Sequence, residues 1–361
     1  MAKHFHPLTI RDIRNETPEC MSVSFHIPEE LKEEFRFVSG QNVTLRSFIQ
    51  GKEVRRSYSI CSSPHENELR VAIKKVEDGF YSSYAHQYFK ESQILEVLPP
   101  TGNFVLPLNK TNSKQYVAFV AGSGITPVIS LLKTILREEP NSSFTLIYGN
   151  RNRASAIFRE ELLALKNDFP QRFQLINIFS REKMDAPLFE GRIDAVKCEL
   201  IFKQIVPLSA DQEYLLCGPA QMIFSVRDWL LQKNVNERRI HFELFSSPAE
   251  SFNESKKIAQ DLKTSSQDKS RVTIKLDGLS TDYMVPAKGP TILEFAIQAG
   301  ADLPYACRAG VCATCRAKLV KGKVTMEENY ALADEELEQG FILVCQSHPV
   351  SEKLIIDFDI R

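Results

Sequence analysis

Cys307-Arg308-Ala309-Gly310-Val311-Cys312-Ala313-Thr314-Cys315 is the stretch from which the rest of the chain can be read. Its cysteines are separated by four and then two residues, and Cys345 follows after another 29. Three thiolates from one tight loop and a fourth from a separate segment match the C-x4-C-x2-C…C spacing of a [2Fe–2S] cluster. Cys307, Cys312, Cys315 and Cys345 are therefore the predicted metal ligands. The glycine and alanines between them let backbone N–H groups approach the cluster sulfurs. The competing reading is structural zinc, although zinc sites favour paired C-x2-C or C-x4-C ligands. The other four cysteines, Cys20, Cys61, Cys198 and Cys217, are scattered.

Outward from this loop, residues 271–361 predict a small α+β unit. Strands are expected at 271–276, 281–285, 316–320, 341–344 and 353–358, with helices at 291–298 and 334–338. Residues 246–270, SSPAESFNESKKIAQDLKTSSQDKS, are rich in Ser and charge and read as a linker. In residues 109–245 strands alternate with helices, which predicts a parallel sheet covered on both faces. The expected helices there are 127–137, 156–167 and 220–233. Residues 1–108 carry about six short alternating strands between turn signals, the pattern of an antiparallel β-barrel or sandwich, with one helix at 82–91.

Composition agrees with three such units. The chain has 361 residues, 43% hydrophobic and 25% charged, and 45 basic against 46 acidic residues give a net charge of −1. That excludes wholesale disorder and a global positive field for nucleic acid or an anionic membrane. No apolar run approaches the ~20 residues of a membrane span. The N-terminus MAKHFHPLTIRDIRNE lacks a signal-peptide core. A cytoplasmic protein with reduced thiols is expected. The seven histidines form no H-E-x-x-H or similar constellation.

Two further segments carry chemistry. Arg55-Arg56-Ser57-Tyr58-Ser59 ends a predicted strand, where alternate residues share a face, so Arg56 and Tyr58 point the same way. An exposed strand with a surface arginine fits these residues equally well. Gly122-Ser123-Gly124-Ile125-Thr126-Pro127 lies between a predicted strand and helix. Such a turn lets backbone and helix N-terminus meet a pyrophosphate, or simply packs the helix on the sheet. Tyr148-Gly149-Asn150-Arg151, Phe179-Ser180-Arg181 and Cys217-Gly218-Pro219 also end predicted strands, the edge where ligands of open parallel sheets bind.

Together these motifs resemble the ferredoxin–NADP reductase superfamily, and 271–361 resembles a plant-type ferredoxin domain of β-grasp fold. The order of the three units is most similar to oxygenase reductases of the phenylacetyl-CoA oxygenase type. The resemblance implies FAD, a [2Fe–2S] cluster and NADPH or NADH. It places Arg56 on the flavin pyrophosphate, Tyr58 against the isoalloxazine and Ser59 near flavin N5. Ile73, Lys74, Gly79 and Ser82 match the strand and turn that open a helix onto flavin phosphate. Gly122, Gly124, Thr126, Pro127, Asn150, Arg151, Gly218 and Pro219 match the pyridine-nucleotide site, with Cys217 close to the nicotinamide. Ser180 and Arg181 match the pair that holds a 2′-phosphate, for which a cationic fork and a hydroxyl are suited. Glu91-Ser92-Gln93 departs from the family, which has a Gly-Asp turn there. The implied function is passage of electrons from NADPH through FAD and the cluster to an oxygenase partner. A reductase of a Rieske oxygenase, hydroxylase or desaturase is the alternative; a non-catalytic zinc module, colourless when pure, is the alternative outside this class.

Overall fold

The computed structural model describes residues 4–77, 79–209, 211–245 and 269–360. The first unit is a six-stranded antiparallel sheet of β1 (His6–Thr17), β2 (Cys20–His26), β3 (Asn42–Ile49), β4 (Lys52–Ser59), β5 (Leu69–Lys74) and β6 (Ile94–Thr101), in the order β4-β3-β6-β1-β2-β5. An Ile60–Val71 bridge, with Cys61 N–H donating to the Arg70 carbonyl at 2.9 Å, joins the two edges and closes a barrel. Closure removes unpaired edges. Val43, Leu45, Val71, Ile73 and Val97 fill the interior, as alternation requires. Helix α1 (Phe80–Tyr88) follows β5. The 91–93 turn forms without glycine: Ser92 takes φ +66°, and its N–H donates to the Ile10 carbonyl at 2.9 Å.

The second unit is a parallel sheet of β7 (Gln115–Ala121), β8 (Ser143–Asn150), β9 (Phe173–Phe179), β10 (Gln212–Cys217) and β11 (Ile240–Glu243), in the order β11-β10-β7-β8-β9. Its helices are α2 (Ile125–Glu138), α3 (Arg159–Asp168), α4 (Ala195–Gln204) and α5 (Ala220–Gln232). Alternate strand residues face opposite cores. Tyr116, Ala118 and Val120 pack with α2 and α3, and Val117 and Phe119 pack with α4 and α5. The strand order reverses between β7 and β10, where this architecture opens a ligand crevice. Helix α4 is absent from the sequence expectations. Asp194 caps it by accepting the Lys197 N–H at 2.8 Å.

The third unit has β12 (Lys269–Leu276), β13 (Leu279–Pro286), β14 (Arg316–Lys321), β15 (Val324–Met326), β16 (Phe341–Leu343), β17 (Ser347–Pro349) and β18 (Lys353–Asp357), with α6 (Ile292–Gln298) and α7 (Asp334–Glu338). Its main sheet runs β13-β12-β18-β14-β16, and β12 and β18 are parallel. Asp277 and Gly278, at φ +53° and +74°, make the two-residue turn of the β12–β13 hairpin. Most of the expected linker, 246–268, lies outside the described residues. Its last two residues belong to β12, because Lys269 and Ser270 pair with Pro286 and Val285.

Glycine is required at 124 by packing. A Cβ there would lie 2.2 Å from the Cys217 carbonyl oxygen, a backbone atom that cannot swing away. Gly124→Ala should therefore cost about 1–3 kcal/mol, the usual range for overpacking. The expected result is a lower thermal midpoint, read by calorimetry, together with weaker NADPH binding. A midpoint equal to that of the parent chain would show that the two turns separate freely.

Candidate electron-transfer site

The C-terminal edge of the parallel sheet forms a cleft of about 710 Å³. Gly122 and Ser123 line it after β7, Gly149, Asn150 and Arg151 at the end of β8, Ser180 and Arg181 after β9, and Gly218 and Pro219 after β10. Lys74 enters from the barrel, and Arg192 adds a further cation. Gly122 sits at φ +56°, a conformation that favours glycine, with the Lys74 ammonium 3.5 Å from where its Cβ would be. Asn150 is buried, and its amide nitrogen has no hydrogen-bond partner among the described residues. An unpaired buried donor is costly unless a ligand meets it. With the backbone turns and cations around it, the cleft fits an anionic dinucleotide.

Other predicted members of this site lie elsewhere. Gly124, Thr126 and Pro127 are buried and do not line the cleft. The Thr126 hydroxyl instead donates to the Ser123 carbonyl at 3.0 Å. These residues build the turn beneath the cleft. Cys217 is fully buried beneath the cleft, and burial pushes its thiol well above the ordinary value. Its side chain is a core group here, and it is Gly218 and Pro219 that reach the surface of the cleft. Arg151 forms an ion pair with Glu19 from the β1–β2 turn of the barrel.

A second cavity of about 240 Å³ lies between the three units. Asn42, Arg56, Ser57 and Ser59 of the barrel line it, with Glu243, Leu244 and Phe245 after the parallel sheet and Cys307, Ala309, Val311 and Cys312 of the cysteine loop. Phe245 also lines the first cleft, so one side chain borders both spaces. Arg56 is exposed, with Nη1 donating to the Arg55 carbonyl at 2.8 Å. Tyr58 is partly buried against the barrel core, with its ring 6.1 Å from that of Tyr81. Ser59 Oγ donates to Glu243 at 3.2 Å. Burial pushes the Glu243 carboxyl up to about 8, while the Ser59 hydrogen bond acts in the opposite direction.

At the expected phosphate turn, Gly79 precedes α1, and a Cβ there would strike Ser82 Oγ at 2.5 Å. Ser82 accepts the Val76 N–H at 3.1 Å and thereby shapes the turn. Lys74 faces the large cleft, whereas Ile73 is barrel core. The N-terminus of α1 has no side-chain cap, and such an open helix N-terminus suits an anion.

The cysteine loop has the backbone its role requires. Arg308, Gly310 and Ala313 take φ of +56°, +73° and +55°, so the chain curls around the sulfurs. Successive N–H groups in such a curl turn inward to form an anion-binding concavity. Ala309 N–H points at Cys307 Sγ at 3.3 Å, and Gln346 Nε2 at Cys345 Sγ at 3.8 Å. Cys312 and Cys315 are buried in this loop, and Cys345 is buried in the segment that follows β16. Among the described residues no three His, Cys, Asp or Glu side chains converge on a single-ion position. Three thiolates from one loop and a fourth from a separate segment are the donor set of a [2Fe–2S] cluster.

Sequence reasoning missed the groups that hold the units together. Thr314 Oγ1, between two predicted ligands, lies 3.2 Å from Cys312 Sγ and 3.4 Å from Thr44 Oγ1 of β3. Thr44 in turn bonds Ser57 of β4 at 3.2 Å. Ala309 and Val311 join the core formed by Met222, Leu244 and the α4–α5 side of the sheet. Arg55, which passed as a neighbour of Arg56, is almost wholly buried between barrel and cysteine unit. The visible signal was adjacency: two consecutive arginines on a strand must face opposite ways.

Comparison with known proteins identifies the class. Residues 7–106 match the oxidoreductase FAD-binding domain, 119–228 the oxidoreductase NAD-binding domain and 274–350 the 2Fe-2S iron-sulfur cluster binding domain. The chain is 39% identical to a component of the 1,2-phenylacetyl-CoA epoxidase of Escherichia coli (strain K12), across 99% of this chain and 98% of that one. It is 32% identical to the ferredoxin reductase component of 3-ketosteroid-9-alpha-monooxygenase from Rhodococcus rhodochrous, across 97% and 96%. The solved structure of phthalate dioxygenase reductase shares the fold, with a TM-score of 0.57, 23% identity and 98% of both chains covered. The chain belongs to the three-domain reductase components of oxygenase systems. It is an NAD(P)H-dependent oxidoreductase that uses FAD and a [2Fe–2S] cluster.

Replacing the distant ligand tests the cluster assignment. Cys345→Ser should lower iron and sulfide per chain and remove the magnetic signal of the reduced cluster. Retention of a parent-like signal would contradict the ligand set.

Proposed function

We propose that this reductase takes electrons from NADPH and delivers them to an oxygenase of the phenylacetyl-CoA epoxidase type. The observation that carries this reading is the shared cavity, where Arg56, Ser59, Glu243, Cys307 and Cys312 face one space beside the dinucleotide cleft. The bound cofactors supply the redox chemistry, with hydride acceptance at the flavin and one-electron carriage at the cluster. The protein's part is to hold and shield them. Arg56 and the N-terminus of α1, with Gly79 and Ser82, hold flavin phosphates. Tyr58 lies against the ring, and Ser59, held by Glu243, faces its reactive edge. Gly122, Asn150, Gly218 and Pro219 hold the dinucleotide. The choice of acceptor is supported by the full-length 39% identity to the epoxidase component. All eight cysteines are free of disulfides, which suits the reducing cytoplasm. Among the described residues no helix is long and apolar enough to cross a membrane.

NADPH preference rests on Ser180 and Arg181, which are exposed side by side in the cleft. A charge-assisted contact to phosphate is worth about 1.5–3 kcal/mol. Arg181→Ala should therefore weaken NADPH use about tenfold or more and leave NADH nearly unchanged. Equal losses with both nucleotides would remove Arg181 from the 2′-phosphate site.

The order of carriers is tested on the intact chain. Cys345→Ser should still reduce ferricyanide with NADPH, since that small acceptor can be served before the cluster. Delivery to cytochrome c, and to a purified epoxidase oxygenase component, should collapse. Undiminished delivery to the oxygenase would place the cluster off the route, and failure of the parent chain to support that oxygenase would refute the proposed partner.

A further inference from the structure

Arg55 is the one arginine of the flavin strand that turns away from the flavin side. Its side chain is 4% exposed, although its strand lies at the barrel surface. Three of its nitrogens are used: Nε donates to Glu53 at 2.7 Å, Nη1 to the Leu303 carbonyl at 3.0 Å and Nη2 to Asp302 at 2.8 Å. The guanidinium also lies 4.2 Å from the centre of the Tyr305 ring, and the Tyr305 hydroxyl donates to the same Glu53 oxygen at 3.3 Å. The contacts therefore reach from β4 to the segment that enters the cysteine loop, with Tyr305 two residues before Cys307.

We infer that Arg55 is a positioning residue that fixes the cluster relative to the flavin and so sets the rate of flavin-to-cluster electron transfer. Three features carry this. Arg55 is covalently next to Arg56 and three residues from Tyr58, so its backbone moves with the proposed flavin site. Its planar fork bonds a main-chain carbonyl and a carboxylate at once, which fixes orientation as well as proximity. The burial of its charge in this polar cage leaves few alternative positions for the loop that follows. Electron transfer falls steeply with separation, so a loosened cage slows that step and no other. The inference rests on the carrier order proposed above.

The test uses the intact, cofactor-loaded chain, mixed rapidly with NADPH while flavin and cluster absorbance are followed separately. In Arg55→Ala, flavin reduction and ferricyanide turnover should match the parent, and iron content should be unchanged. Cluster reduction should slow severalfold relative to the parent, because electron transfer weakens with each added ångström of separation. Independently of activity, hydrogen exchange in the 300–307 peptide should rise. Arg55→Lys keeps the charge but loses the fork and should recover little of the rate. Tyr305→Leu loosens the cage from the cluster side, leaves β4 intact, and should show the same split if Arg55→Ala does not fold. Parent-like cluster reduction in both Arg55→Ala and Tyr305→Leu would overturn the inference, as would flavin reduction slowed in parallel or full recovery by Arg55→Lys. If the parent chain itself did not reduce its cluster with NADPH, the carrier order would fail with it; parent-like rates confined to the variants overturn the inference alone.

Discussion

The period-two alternation of β4 is the constraint on which the arrangement of this molecule depends. On one face Val54 and Tyr58 pack toward the barrel core, and Arg56 shares their parity. On the other, Arg55 reaches Asp302 and Leu303, Ser57 bonds Thr44, and Ser59 meets Glu243. A single five-residue run thus addresses the proposed flavin site, the cysteine unit and the end of the parallel sheet. A strand can do this because successive side chains leave opposite sides of one rigid backbone. A register slip of one residue would exchange the two sets and dismantle both contacts. Antiparallel pairing of β4 with β3 from Asn42–Ser59 to Ile49–Lys52 holds that register over the whole strand.

The parallel sheet contributes a different kind of precision. Its strands end together at one edge, and the turn after β7 rests on the carbonyl that ends β10. Close backbone approach at Gly124 fixes the turn that lies beneath the large cleft. Lys74, Arg151, Arg181 and Arg192 then concentrate positive charge there, in a chain whose overall charge is only −1. Local fields in a cleft, more than net charge, govern the capture of an anionic cofactor. Glu19 tempers that field by pairing with Arg151.

What could be read from the sequence followed the range of the interaction responsible. The cysteine spacing, the strand-to-glycine turns and the alternating β and α segments are local patterns, and each led to the right unit. Helix α4 was missed although Asp194, whose carboxylate accepts the Lys197 N–H, was a legible cap. Strand β1 reaches Thr17 because Arg14, Asn15 and Thr17 pair with Ser22, Met21 and Cys20 of β2. Thr126, Pro127 and Cys217 matched a motif by position, and the structure shows their side chains buried beneath the cleft. That Arg55 and Arg56 face opposite ways could be read from their adjacency, but the partners of Arg55 and Tyr305 could not, because they lie about 250 positions away along the chain and no local pattern encodes a contact between domains.

The junction of the third unit combines two forces with separate consequences. Ala309 and Val311 bury apolar surface against the parallel-sheet unit, and such burial is non-directional, roughly proportional to area. Small apolar residues alone would hold the loop near the sheet but let it slide. Thr314, Asn103 and Arg55 add directed bonds at three separate points, Asn103 by donating to the Ala331 carbonyl at 2.9 Å. Directed bonds at several separate residues restrict orientation as well as separation. Side chains that cost more to bury than alanine or valine are therefore placed where orientation, and not mere adhesion, is needed between a strand and a cysteine loop.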